Sequence, residues 1–349
     1  MNFYTRRNLK LIRGYCIGWT VGFIFLSIVR GVGTTELGSL QFGFWQSILI
    51  AFTLGPIIGA VSGISEIWME ERFYRKIPVT QFLLLRLSYM VVFIVVLIVA
   101  AYAVYQFYFG TDLDIISFAS DQGSYAIYFY VISVDFMINV VVQVDLMLGQ
   151  GNLGKLLAGK FYHPREEERI FMFLDLQSST TLAEKLGHIK YSLLIQDCFN
   201  DLGVVEEEGA EIYQYVGDEA VLTWDISKRS SNDRIIEAFY RFRKEIASRE
   251  AHYQEQYGVL PFFKAGAHVG TVTVTEIGKF KREIAYHGDP INTAARIQGM
   301  CNELNAELLI SEALVERVHK SRFNTTSTGS IQLKGKEQQV QLFSVIENQ

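Results

Sequence analysis

Histidine is missing from the first 160 residues of this sequence: all six imidazoles come later, and the apolar stretches contain none. That argues against a haem or copper centre inside those stretches, and with it a redox-sensing role for them. Cysteine is sparse as well. Cys16, Cys198 and Cys301 stand far apart without a CxxC pair, which argues against a disulfide framework or a thiolate metal site and fits a reducing compartment for the second half. No GxxxxGK[ST] loop is present to indicate a P-loop NTPase. The net charge of −5 comes with no basic, aromatic-interleaved stretch, so no nucleic-acid partner is expected.

What is present is segregated. A fifth of the 349 residues are charged, yet the mean hydropathy is above zero, because charges crowd the second half while Leu, Ile, Val, Phe and Tyr dominate the first. A membrane part and a soluble part are therefore expected. Four stretches, 11–31, 45–67, 81–108 and 123–147, have the roughly 20 apolar residues that a bilayer-crossing helix needs. The first is long, lacks a small-residue cleavage site and is followed by further spans, so it reads as a retained helix. Arg6, Arg7, Lys10 and Arg13 precede it, Arg72, Arg75 and Lys76 lie between spans two and three, and Lys155, Lys160, Arg165 and Arg169 follow span four. The other two connections carry Glu36 in one and Asp112, Asp114 and Asp121 in the other, without Lys or Arg. The positive-inside rule puts both termini in the cytoplasm of a multi-pass protein of the cell membrane.

Asp135 falls near the middle of span four, where a lone carboxylate costs at least a few kcal/mol. It is either a sensing or buried-pair residue, or a protonated or interfacial one. The organisation expected is a four-span domain over 1–148, a linker or coupling element over 149–167, and a soluble domain over 168–349, the junction being marked by glycines, Pro164 and a dense charge run.

In the soluble part, a strand over 169–175 ends on Asp175, and the small polar run containing Ser178, Ser179 and Thr180 opens a helix whose amides would suit a phosphate. A second strand over 211–216 meets Gly217-Asp218-Glu219 and a third over 220–224, which reads as a hairpin with Gly-Asp at its tip. If the first strand lies beside the hairpin, Asp175 and Asp218 converge as oxygen ligands for hard divalent cations. Glu206, Glu207 and Glu208 read as a solvated helix end, Glu219 as a turn neighbour, and His268 and His287 as structural or surface groups. Gly266, Gly270 and Gly288 read as positions of close backbone approach or turning.

The segments FMFLDLQSSTTLAEKLG, YQYVGDEAVLTW, AYHGDPINTAARIQ and LKGK stand in the order and spacing of class III adenylate and guanylate cyclases, and residues 168–347 resemble that family. The resemblance implies an α+β, ferredoxin-like antiparallel sheet, expected with helices against one face and joined to a four-helix transmembrane bundle. It implies conversion of a nucleoside triphosphate into a 3′,5′-cyclic nucleotide and pyrophosphate. It implies that Asp175 and Asp218 hold two Mg²⁺ or Mn²⁺ ions per site, that Asn292 orients the ribose, that Arg296 stabilises the transition state, and that Lys334 grips the terminal phosphates. It also implies a head-to-tail homodimer with two shared sites, since only one such domain is present.

Base selection in the family uses the positions of Gln214 and Ala285. Gln can donate or accept, and Ala offers no side-chain hydrogen bond, so neither the adenylate nor the guanylate pattern is met. ATP is the first expectation, with GTP and a pyrimidine triphosphate open. Simple strand alternation puts Tyr213 and Tyr215 on the face away from Gln214, in core packing. The rival readings are a non-catalytic nucleotide-binding receptor and a transporter with a regulatory domain, and a membrane, periplasmic or extracellular signal is left unidentified.

Overall fold

The computed structural model describes residues 3–31, 43–73, 79–110, 114–149, 152–226, 233–318, 323–332 and 339–347. It separates into two compact units, Met1–Val144 and Asp145–Gln349.

The first unit consists of α1 (Phe3–Gly31), α2 (Phe44–Phe73), α3 (Val79–Phe109), the short α4 (Ile115–Ala119) and α5 (Gln122–Leu148). Four segments of these helices, Arg7–Gly31, Phe44–Met69, Ser88–Phe109 and Gln122–Leu148, are long and apolar enough to cross a membrane. Without a difference in polarity between helix and lipid, such helices are held by close packing and polar contacts. Both occur. Gly55, Gly59 and Gly63 form a ladder on α2, and a Cβ at each would come within 2.6, 2.4 and 2.9 Å of the Cα atoms of Thr20, Cys16 and Ile12 on α1. The two backbones therefore touch along three turns. Asp135 and Asn139 on α5 are buried, and Ser62 Oγ of α2 donates to Asp135 Oδ1 at 2.9 Å. Asn139 Nδ2 donates to Asp135 Oδ2 at 3.1 Å, and Tyr15 OH of α1 donates to Asn139 Oδ1 at 2.9 Å. Tyr89 OH of α3 lies 3.4 Å from Ser62 Oγ. Asp135 is thus buried and hydrogen-bonded, in a network that draws on all four long helices.

The second unit opens with α6 (Asn152–Leu157) and β1 (Arg165–Leu176), followed by α7 (Ser179–Asp201) and a 3₁₀ turn over Leu202–Glu208. Then come β2 (Glu211–Val216), β3 (Glu219–Asp225), α8 (Arg234–Ser248), α9 (Glu250–Tyr257), β4 (Phe263–Ile277) and β5 (Glu283–His287). The unit closes with α10 (Asp289–Gly299), β6 (Leu308–Ser311), α11 (Glu312–Val315), β7 (Phe323–Ile331) and β8 (Val340–Glu347). The strands form one sheet in the order β2-β3-β1-β4-β6-β8-β7, with β5 paired to β4.

Three expectations change. The sheet is mixed, since β4 and β6 run parallel. Helices cover both faces rather than one: Ile170, Met172 and Leu174 of β1 share a core with α7, α8 and α9, while Phe171 and Phe173 pack with Ala294 and Ile291 of α10. Glycine makes the second face accessible, for a Cβ at Gly266 would lie 2.1 Å from the Gln298 backbone nitrogen and one at Gly270 would strike the Pro290 ring at 2.5 Å. Finally, the charge run before residue 169 is strand. Arg165 to Glu168 pair with Val274 to Thr271, and the charges sit at the pleat's more accessible end.

Candidate active site

Asp175 lies near the end of β1, in direct register with Glu219 of β3 on one side and Lys264 of β4 on the other. Asp218 occupies the two-residue turn between β2 and β3, which Gly217 enters with φ 63°, a left-handed conformation that favours glycine. The hairpin therefore delivers Asp218 to the sheet edge where β1 ends, as the sequence suggests. Burial, first, and then the charge of Asp218 push the Asp175 carboxyl above the usual range, against a hydrogen bond from the Gln298 side chain of α10.

Glu219 is more than a turn neighbour. Burial, then Asp175 and Asp218, raise its carboxyl from 4.5 to about 7. Three acids thus load one corner of the sheet with unfavourable negative charge. Among the described residues, no three His, Cys, Asp or Glu side chains close around a point suited to a metal ion. A divalent cation at this corner would therefore complete its shell with oxygens from outside the chain, which is how Mg²⁺ is commonly held beside phosphates. The all-oxygen donor set and its mutual repulsion fit such an ion.

A pH effect follows. Glu219 is protonated more readily folded than unfolded, so its contribution to stability is full below 4.5 and lost as pH rises towards 7. In metal-free protein, Glu219→Gln should raise the melting temperature relative to wild type at about pH 8 and leave it unchanged at about pH 4. Thermal unfolding at the two pH values reads this directly.

Ser178, Ser179 and Thr180 stand where a helix begins. Ser178 precedes α7 in the left-handed region with φ 59°, and its carbonyl accepts from Leu182 N at 3.0 Å. A serine held there costs about 1 to 3 kcal/mol and tends to mark a functional turn. The first-turn amides of α7 have no partner within the helix and offer donors to an anion. Tyr191, which sequence reasoning missed, contacts this corner: its hydroxyl is raised by burial and by the charge of Asp218, and Ser179 hydrogen-bonds to it.

Asn292 and Arg296 lie one turn apart on α10. Asn292 is exposed and Arg296 half-buried, and among the described residues neither side chain is engaged in a hydrogen bond or ion pair. The chain itself does not bring them to Asp175 and Asp218 through any such contact; α10 reaches Asp175 through Gln298 instead. Lys334 lies outside the described residues, as do Glu36, Arg75, Lys76 and Asp112. Lys264 was also missed: it is buried and its Nζ donates to Asn302 Oδ1 at 2.9 Å, which places a cation on the strand next to Asp175.

Gln214 does not follow simple alternation. A β-bulge between Ile212 and Gln214 leaves Tyr213 unpaired and sets Gln214 opposite Val221, on the same face as the Glu211–Thr223 pair. Tyr213 therefore shares the α10 face with Gln214, and only Tyr215 turns away, stacking on Phe199 at 4.5 Å. Ala285 is buried, one residue before Tyr286, whose ring faces Tyr213. Other acids are structural. Glu208 is buried rather than solvated and accepts from Arg241 Nε at 2.9 Å, and Glu207 pairs with the same guanidinium. His268 Nδ1 lies 2.7 Å from Ser311 Oγ, and His287 is exposed.

Residues 161–346 match the family described as adenylate and guanylate cyclase catalytic domain. The chain is 33% identical over 218 residues to adenylate cyclase 2 of Rhizobium meliloti (strain 1021), covering 62% of this chain and 60% of that protein. It is 24% identical over 182 residues to an adenylate cyclase of Anabaena cylindrica, covering 50% of this chain and 36% of that protein. In both cases it spans less than two thirds of the relative. A solved bacterial light-regulated adenylyl cyclase superposes with a TM-score of 0.52 at 18% identity, covering 61% of this chain and 64% of that one, and so shares the fold. The chain belongs to the adenylate and guanylate cyclase family.

Proposed function

We propose that this protein is a membrane-bound nucleotidyl cyclase, with ATP the favoured substrate, that makes a 3′,5′-cyclic nucleotide and pyrophosphate for intracellular signalling. The observation that carries the reading is the acid corner: Asp175, Asp218 and Glu219 are gathered although each raises the energy of its neighbours. A cation brought to this corner would relieve that repulsion. Asp175 and Asp218 would hold two Mg²⁺ or Mn²⁺ ions, which activate the ribose 3′-hydroxyl and neutralise the departing pyrophosphate.

The chain's own groups do the rest. Arg296 presents a planar donor fork to the charge that grows on the α-phosphate, an interaction made fully only in the transition state. Asn292, one turn earlier on the same helix face, holds the ribose. The first-turn amides of α7, around Ser178, Ser179 and Thr180, receive phosphate oxygens, and Lys334 takes the terminal phosphates. Gln214 reads the base, while Ala285 leaves its position without a polar contact. Since neither Asn292 nor Arg296 has a side-chain hydrogen bond or ion pair among the described residues, a second copy arranged head to tail supplies the opposite half of each site. The four long apolar helices anchor the protein, and both termini are cytoplasmic, a reading supported by the Lys and Arg distribution.

The test is direct. Full-length protein in nanodiscs is incubated with Mn²⁺ and ATP, GTP, CTP or UTP separately, and products are identified by mass. A cyclic nucleotide from at least one of them, absent with Asp175→Ala, is the expected result. No cyclic product from any of the four would overturn the reading.

A further inference from the structure

The β1 strand carries one buried cation that the proposed chemistry does not use. Arg169 is only 2% exposed. Its Nε donates to Thr223 Oγ1 of β3 at 3.0 Å, its Nη1 to Glu167 Oε2 at 3.0 Å, and its Nη2 to Glu211 Oε2 of β2 at 2.6 Å. The guanidinium also lies over the Tyr286 ring of β5, 4.8 Å from its centroid. Tyr286 in turn meets the Tyr213 ring edge-on at 5.0 Å, and its backbone N donates to Tyr213 OH at 3.4 Å. In the sheet β2 and β5 are not neighbours, yet this cluster ties them together across the α10 face.

What it ties is the bulge. Glu211 precedes the extra residue and Tyr213 is that residue, so both ends of the irregularity are pinned, one by Arg169 and the other by Tyr286. Because strand side chains alternate, removing a one-residue bulge sends every residue beyond it to the other face. A regular β2 would turn Gln214 towards α7 and α8. With the bulge, Gln214 instead borders a cavity of about 260 Å³ together with Glu211, Tyr213, Thr223, Ile284 and Tyr286.

Resting on the cyclase reading and its assignment of base recognition to Gln214, we infer that Arg169, through Glu211 and Tyr286, and Tyr213, through Tyr286, are specificity-determining positioning residues that hold the β2 bulge and thereby aim Gln214 at the nucleobase. Lysine cannot replace such an arginine, since a single ammonium does not reproduce a planar fork engaged on three sides and stacked on a ring. Ala285 contributes no polar group, so selection depends on the aim of one amide. A small displacement of such a group is felt strongly in recognition.

The experiment compares wild type with Arg169→Lys, Tyr213→Phe, Gln214→Ala and the Arg169→Lys/Gln214→Ala double variant, all full length in nanodiscs. Affinities for ATP, GTP, CTP and UTP are measured by displacement of a fluorescent nucleotide, and kcat and KM where product forms. Arg169→Lys and Gln214→Ala should each reduce discrimination between the preferred nucleotide and the next by about 10-fold, chiefly in KM, and the double variant should lose no more than either alone. Tyr213→Phe, which removes only the hydroxyl, should shift discrimination in the same direction to a smaller extent and covers the case in which Arg169→Lys does not fold. The inference is overturned if the folded variants keep wild-type discrimination, if losses at Arg169 and Gln214 add independently, or if wild type does not discriminate among the four. The binding readout separates this from the cyclase reading: selective binding that depends on Arg169, with no cyclic product, sinks only the latter.

Discussion

Asp175→Ala and Arg296→Ala should each lower turnover by roughly 10²-fold or more when every chain carries the change, and a mixture of the two should recover activity. The recovery has a definite size. Equal mixing of freely exchanging chains makes half the dimers mixed, and each mixed dimer has one site built from the intact acid corner of one chain and the intact α10 of the other. About a quarter of wild-type activity is then expected, provided the two sites act independently. The reason lies in the distribution of contacts: Asp175 is engaged by Gln298 of its own α10, whereas Asn292 and Arg296 carry no side-chain hydrogen bond or ion pair among the described residues. If demonstrated mixed dimers stay as inactive as the parents, the shared-site arrangement is wrong, and a site within one chain has to be sought. Mixing is done in detergent before reconstitution, and differently tagged chains isolate the mixed dimers.

The second large effect concerns the helical unit. Gly59→Leu should destabilise the packing of α1 against α2 by on the order of 3 kcal/mol, because a Cβ at that position overlaps backbone atoms of Tyr15 and Cys16 that have no flexible end to move aside. Gly14→Leu provides the control, since nothing lies within 4 Å of a Cβ built there. Thermal unfolding in nanodiscs should show the helical transition lowered in Gly59→Leu and unmoved in Gly14→Leu. Equal behaviour of the two variants would mean that the glycine ladder is not the contact that joins these helices. Even Gly59→Ala should register, as the overlap begins at the first side-chain carbon.

Sequence and structure agree most closely where a single local pattern decides the outcome. Long apolar runs have no alternative to helix in a bilayer, so the four stretches each fall within one of α1, α2, α3 and α5. The Gly217-Asp218 turn is equally local, and it fixes the β2–β3 hairpin and the placement of Asp218. The differences arise where distant elements decide. Glu219 becomes part of the acid corner only because its cross-strand neighbour is Asp175, a pairing that no short window contains. Gln214 faces the α10 side because of a bulge, and a bulge leaves no mark on composition; Arg169 closes the charged run that begins at Arg165, so nothing local distinguishes it from its solvated neighbours, and only the strand pairing buries it. The placement of α10 on the second face rests on Gly266 and Gly270. As glycines they suggest close backbone approach or turning, but not which helix approaches.

The knot of hydrogen bonds around Asp135 has a bearing on what kind of movement the helical unit allows. Asp135 and Asn139 sit one turn apart on α5 and reach Ser62 on α2 and Tyr15 on α1 respectively. Turning α5 about its axis by the angle of a single residue, about 100°, takes both side chains off Ser62 and Tyr15 at once, and a buried polar group without a partner is costly. Intermediate settings satisfy neither bond. The azimuth of α5 is thereby indexed like a detent: small torques are absorbed without displacement, and a change of setting requires all of these bonds to be exchanged together.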